Sequence, residues 1–139
     1  MPKAEHLVRT GDVLVSRMNT SELVGAAACV WNVPNNYYLP DRIWRAELKK
    51  GVNPIFLWQV LIQAETRALI TSAAGGTSDS MKNISKEDLL SIPVISVTPD
   101  EQAAFAEYVV KIHGKEVSLK NEMLREKSEY LKIIDSCYE

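Results

Sequence analysis

Thr98-Pro99-Asp100-Glu101, continuing as QAAFAEYVVKIHGKEVSLKNEMLREKSEYLKIIDS to Ser136, is the stretch that decides the fold. A threonine at the N-cap, proline at the first helical position and glutamate two further on form a strong helix start. From Phe105, positions 105, 109, 112, 116, 119, 123, 126, 130, 133 and 137 step by four and three. They read Phe, Val, Ile, Glu, Leu, Met, Glu, Tyr, Ile, Cys: a 3.5-residue repeat interrupted at Glu116 and Glu126. Unbroken, such a helix would extend roughly 57 Å from Pro99 to Ser136. It would outreach the segment before it, so much of its apolar seam needs a partner helix. Gly114 is its weak point, costing about 1 kcal/mol relative to alanine.

The preceding 98 residues alternate short strand-like runs with turns. Val13–Met18 follows the turn-prone Gly11-Asp12 and is rich in strand formers. Val24–Trp31 is a second apolar run, rich in small residues and ended by Asn32–Asn36 with its Pro34. Ile43–Lys49 alternates, with Trp44, Ala46 and Leu48 on one face, which predicts a half-buried strand. Asn53-Pro54 opens a helix, and Leu57, Leu61, Ala64 and Ala68 give it a continuous stripe, with Trp58 and Leu69 beside it. Gly75-Gly76 ends that helix and starts a flexible, hydroxyl-rich loop. Ser85-Lys86-Glu87-Asp88 caps a short helical turn, and Ile92–Val97 reads as a buried strand. The fold class expected is α+β: a small mixed domain over residues 1–98, then one long coiled-coil helix over 99–139.

The chain has 139 residues, 46% of them hydrophobic, which suits one domain with an appendage. No apolar run reaches the ~18 residues of a membrane helix, and the N-terminus lacks a signal-like stretch. Cys29 and Cys137 are too few and too distant for a disulfide framework, so the expected location is the cytoplasm. The net charge of −2 excludes a protein that coats nucleic acid by charge alone. Charge is uneven, however: residues 1–98 hold 10 basic and 9 acidic residues, whereas residues 99–139 hold 6 and 9. Any nucleic-acid surface must therefore be a local patch in the first part.

Enzyme signatures are absent. Gly75-Gly76 is a lone pair without the spacing of a phosphate-binding loop. His6 and His113, the two histidines, lie far from any recognisable nucleophile. Asn53-Pro54-Ile55-Phe56 lacks the second proline of an amino-methyltransferase loop, and the helix-cap reading explains it better. The chain is expected to be non-catalytic, with neither cofactor nor metal.

Four stretches, in order, resemble the DNA-specificity (S) subunit of type I restriction-modification systems. Gly11-Asp12-Val13-Leu14-Val15-Ser16-Arg17 is similar to that family's Gly-Asp-Ile-Leu-x-Ser-Arg strand. Leu39-Pro40-Asp41-Arg42-Ile43, with Asn53-Pro54 beyond it, resembles its mid-domain strand and helix. Gly76-Thr77-Ser78 and Asn83–Leu89 look like its Gly-Ser/Thr loop and short helical turn. Ile92-Pro93-Val94 and Thr98–Gln102 look like its Pro-rich strand leading into the spacer helix. Each motif is weak alone; their order and spacing over residues 11–135 make the resemblance specific.

The resemblance implies a target-recognition domain plus spacer helix that performs no chemistry but directs a methyltransferase, and a restriction subunit where one exists, to DNA. In the family, further strands precede the Gly-Asp-Ile-Leu motif, whereas ten residues do here, so this chain corresponds to one shortened half. The alternative is an S-subunit-like scaffold whose helix only docks protein partners. For double-stranded DNA, Arg17 offers a fork suited to guanine, or is a structural arginine paired to Asp12 or Asp41. Asn19 and Thr20 adjoin it and could reach base edges. Arg42, Arg45, Lys49 and Lys50 form a basic cluster suited to phosphates, or a solvated face. Gly76, Thr77, Ser78, Ser80 and Lys82 form a loop that contacts phosphates, or simply ends a helix. Trp31, Trp44 and Trp58 read as core. Phe105, Val109, Ile112, Leu119, Met123, Tyr130 and Ile133 would pair two helices, as an antiparallel homodimer or with another S polypeptide.

Overall fold

In a computed structural model, residues 4–138 are described, apart from the side chain of Thr77. Internal contacts divide the chain into two units, Met1–Ala103 and Ala104–Glu139. The architecture is α+β, with two three-stranded antiparallel sheets and one long C-terminal helix.

In the first unit, β1 (Val13–Ser16) runs between β3 (Ala27–Cys29) and β4 (Ile43–Arg45), with Val15 opposite both Ala27 and Trp44. The Val13–Met18 run is not one strand. Arg17 interrupts it, and β2 (Met18–Asn19) joins a different sheet. There β2 pairs with β6 (Met81–Asn83), which pairs with β5 (Gly75–Ser78). Arg17 is the junction: its N–H donates to the Arg42 carbonyl, and its own carbonyl accepts from Ile84 N–H.

Only Ala27–Cys29 of the expected Val24–Trp31 strand is extended. The residues before it turn tightly, with Leu23 and Val24 N–H both donating to the Thr20 carbonyl. Gly25 makes that turn possible. It has φ +70°, and a Cβ there would lie 2.1 Å from Cγ2 of the fully buried Ile70. Arg67 closes the same corner by donating to the Glu22 carbonyl at 2.9 Å.

Asn53 caps α1 (Pro54–Ile62), its side-chain oxygen accepting from Ile55 and Phe56 N–H, with proline at the start as expected. The predicted continuous stripe fails beyond it. Gln63 is extended at ψ 144°, and a separate α2 (Ala64–Ala73) begins in a new direction. Leu57, Trp58 and Leu61 therefore pack on the core, whereas Ala64, Ala68 and Leu69 are exposed and α2 buries Thr66 and Ile70 instead. Val13, Val15, Val24, Leu61, Ile70 and Ile84 form the core.

Ser85 caps α3 (Lys86–Ser91) by accepting from Asp88 N–H. The strand expected over Ile92–Val97 does not form. Pro93 removes a donor, no strand among the described residues pairs with the segment, and Ile95 is 66% exposed. The half-buried strand expected over Ile43–Lys49 is likewise reduced to β4, although Trp44 and Ala46 do face the core.

The start of α4 (Pro99–Ser136) is a capping box. Thr98 Oγ1 accepts from Glu101 N–H at 3.3 Å, and the Glu101 carboxylate accepts from Thr98 N–H and hydroxyl at 2.9 and 2.8 Å. Those two donors hold the Glu101 carboxyl below its ordinary pKa. Gln102 is buried and satisfied: its Oε1 accepts from Asn53 N–H and its Nε2 donates to the Val97 carbonyl. The starts of α1 and α4 are tied together by this one side chain.

In the second unit the helix runs through Gly114 without a break. Among the described residues of this unit, from Ala104 on, Ala106 is the one that is buried. No helix among the described residues is long and apolar enough to cross a membrane.

Candidate nucleic-acid interface

The predicted site residues fall into three groups in the structure. The first is the β2-β6-β5 sheet, where Asn19 lies opposite Lys82. Asn19 Oδ1 accepts from Thr20 N–H, and Ser21 Oγ donates to the Asp79 carbonyl. This ties the end of β2 to the β5–β6 turn, 58 residues away. Gly75–Ser78, expected as a flexible loop, is instead a paired strand. Gly76 is needed at its irregularity: φ is +134°, and a Cβ would approach the Met81 carbonyl to 2.5 Å. Lys82 Nζ donates to the Gly76 carbonyl at 2.9 Å, and Ser78 and Ser80 hydroxyls share a 2.6 Å hydrogen bond. These polar groups brace the hairpin while remaining at its surface. The Thr77 side chain, predicted with them, lies outside the described residues.

The second group surrounds Arg17. Neither structural partner expected for it is present: the Asp12 carboxylate takes Arg45 Nε at 2.9 Å, and Asp41 makes no ion pair among the described residues. Arg17 lies over the Trp44 ring instead, 5.7 Å from its centre, with a buried Nε that has no hydrogen-bond partner among the described residues. Arg45 does not join the predicted basic cluster. Its guanidinium also donates to the Glu5 and Leu7 carbonyls, so it holds the Ala4–His6 turn against the sheet. Arg42, Lys49 and Lys50 are exposed, and none makes an ion pair among the described residues.

One residue in this group was missed. Lys86, read from sequence as part of a helix cap, places its Nζ 5.8 Å from the same Trp44 ring. Nothing in its local pattern signals this, because the contact depends on the fold bringing Lys86 and Trp44, 42 positions apart, together. Trp31 and Trp58 meet edge to face at 5.8 Å, and Trp58 and Trp44 pack against the core as expected.

The third group is the face of α4. Phe105, Ile112, Leu119, Met123, Tyr130 and Ile133 are exposed and Val109 is half-buried, so the predicted seam is presented outward. A second stripe was overlooked: Val110, Val117, Leu124 and Leu131, at strict seven-residue spacing and also exposed. It lies about 100° around the helix from the Val109–Met123–Tyr130 line. Strict sevenfold repetition in the sequence was the signal available.

No group of three or more metal-ligating side chains occurs among the described residues. Partial burial pushes the Cys29 thiol up, away from the range of a reactive thiolate.

No family model matches the chain. It is similar to the type I restriction enzyme EcoEI specificity subunit of Escherichia coli, at 26% identity over 95 residues. That alignment takes in 68% of this chain and 16% of the relative, so the chain spans about a sixth of that protein's length. The likeness supports an S-subunit-like relation, the one suggested by the order of the motifs.

Proposed function

We propose that this chain is a DNA-specificity component of a type I restriction-modification complex, non-catalytic itself, with its first unit reading DNA and α4 joining it to other chains. The likeness to a type I restriction enzyme specificity subunit carries the reading. The structure supports it by leaving Arg17, Arg42, Lys49 and Lys50 without ion-pair partners among the described residues. Side chains on β2 and at the Arg17 junction read base edges, and Arg42, Lys49 and Lys50 hold phosphates. Asn19 and Thr20 flank that junction. Arg45 and Lys82 position the backbone rather than touch DNA, because their head groups are already engaged.

Two apolar stripes on one helix suit two neighbours. The Phe105–Ile133 seam pairs with a second copy, and the Val110–Leu131 stripe faces a methyltransferase subunit. A homodimer presents two recognition units to a two-fold symmetric, interrupted DNA target. A scaffold that has kept only protein association makes the opposite prediction for DNA. Anisotropy of a labelled duplex, titrated with the full chain over a salt series, separates the two. Salt-dependent binding that weakens when Lys49 and Lys50 are both changed to glutamine is the expected result. No binding even at low salt would overturn the DNA reading and leave the scaffold.

A further inference from the structure

Lys86 and Arg17 approach one indole ring from different elements, α3 and the β1–β2 junction. Their distances to the Trp44 centre put the two cationic centres within about 11.5 Å of each other. Both line an open cleft of about 1000 Å³ with Trp44 in its wall. Glu5, Asp41 and Glu47 face the same cleft, with His6 and the engaged Arg45, yet none of the acids pairs with Arg17 or Lys86. The backbone on the Arg17 side is locked by its bonds to Arg42 and Ile84, and on the Lys86 side by the Ser85 cap. Two like charges are thus held beside one indole ring in a common cleft, with no carboxylate paired to either among the described residues, and one of them has a buried N–H without a hydrogen-bond partner. The ring quadrupole offsets part of their repulsion, and an anion bound by both in that cleft would remove the rest.

We infer that Arg17 and Lys86 form a two-cation clamp over Trp44 that grips a backbone phosphate of the bound DNA. The inference rests on the DNA reading above and adds Lys86 to it. Arginine supplies the directional fork and lysine the compact charge. Trp44 holds both cations at fixed positions before DNA arrives.

The test is the salt dependence of binding to a random-sequence duplex, where phosphate contacts supply nearly all the affinity. Lys86→Gln should weaken binding about 3- to 10-fold at low salt and lower the slope of log affinity against log salt by about 0.9. Lys86→Arg should restore the slope, and Lys132→Gln, on α4, should leave it unchanged. Melting curves of each variant separate lost contact from lost fold. An unchanged slope in Lys86→Gln, with the wild-type chain binding DNA, overturns the clamp alone. Absence of DNA binding by the wild-type chain overturns the clamp and the DNA reading together.

Discussion

The two units of this chain bury their apolar residues in opposite ways. Residues of the first enclose Val13, Val24, Ile70 and Ile84 almost completely. The second exposes nearly everything apolar it has, including Met123 at 70% and Ile133 at 64%. Yet the second is the more regular structure, a single run of helix. Regularity and independence are therefore separate properties. A helix this polar on average satisfies its own backbone but obtains most of its stability by packing an apolar face against something else. The first unit supplies its own partner surfaces; the second leaves its apolar stripes exposed.

The strongest challenge to that contrast is a charged seam. Leu119→Lys with Met123→Lys should leave the melting temperature of the first unit nearly unchanged while abolishing self-association. Each side chain is worth about 2 kcal/mol when buried, so a pair of chains should lose affinity by at least about 1000-fold. Light scattering over a concentration series reads this directly. A wild-type chain that is monomeric throughout, with α4 fully helical, would mean that the seam is not what stabilises it.

Gly25→Ala tests the other side. The new methyl would meet the Ile70 side chain in a fully occupied core, at a backbone conformation that side chains disfavour. Strain and overpacking together should cost about 3 kcal/mol. Urea unfolding should show that loss in the first unit. A midpoint unchanged from wild type would show that the Thr20–Gly25 turn is not held as rigidly as the packing implies.

The smallest effect concerns the place where α4 begins, inside the first unit. Glu101 is held below its ordinary pKa by the Thr98 hydroxyl and N–H. Its contribution is therefore present above the unfolded-state pKa and fades as pH falls through the lower folded-state value. NMR titration should place the Glu101 midpoint below that of an ordinary glutamate, and Thr98→Ala should move it upward. A midpoint that Thr98→Ala leaves in place would remove the capping box as its cause.

Local signals were reliable wherever the backbone satisfies itself nearby. Asn53-Pro54, Ser85 with Asp88, and Thr98-Pro99 with Glu101 each carry a cap within a few residues, and each cap formed. Strand readings were weaker because a strand needs a partner. The Ile92–Val97 run has the right composition and no strand to pair with among the described residues, whereas Gly75–Ser78 has poor strand composition and pairs with β6. The candidate site divides along the same line. Arg17 stands out in the sequence by its motif, but its alternatives, Asp12 and Asp41, could be separated only in three dimensions, where Arg45 occupies Asp12.

The sequence alone settled the starts of α1, α3 and α4, the α+β class and the long amphipathic C-terminal helix, because caps and 3.5-residue periodicity act over one or two turns. Three features required the folded chain: the break at Gln63, the division of Val13–Asn19 between two sheets, and the meeting of Arg17 and Lys86 on Trp44. Each depends on contacts between residues far apart in the chain. Those contacts are selected by how volumes and backbone donors fit together, which no short stretch of sequence specifies.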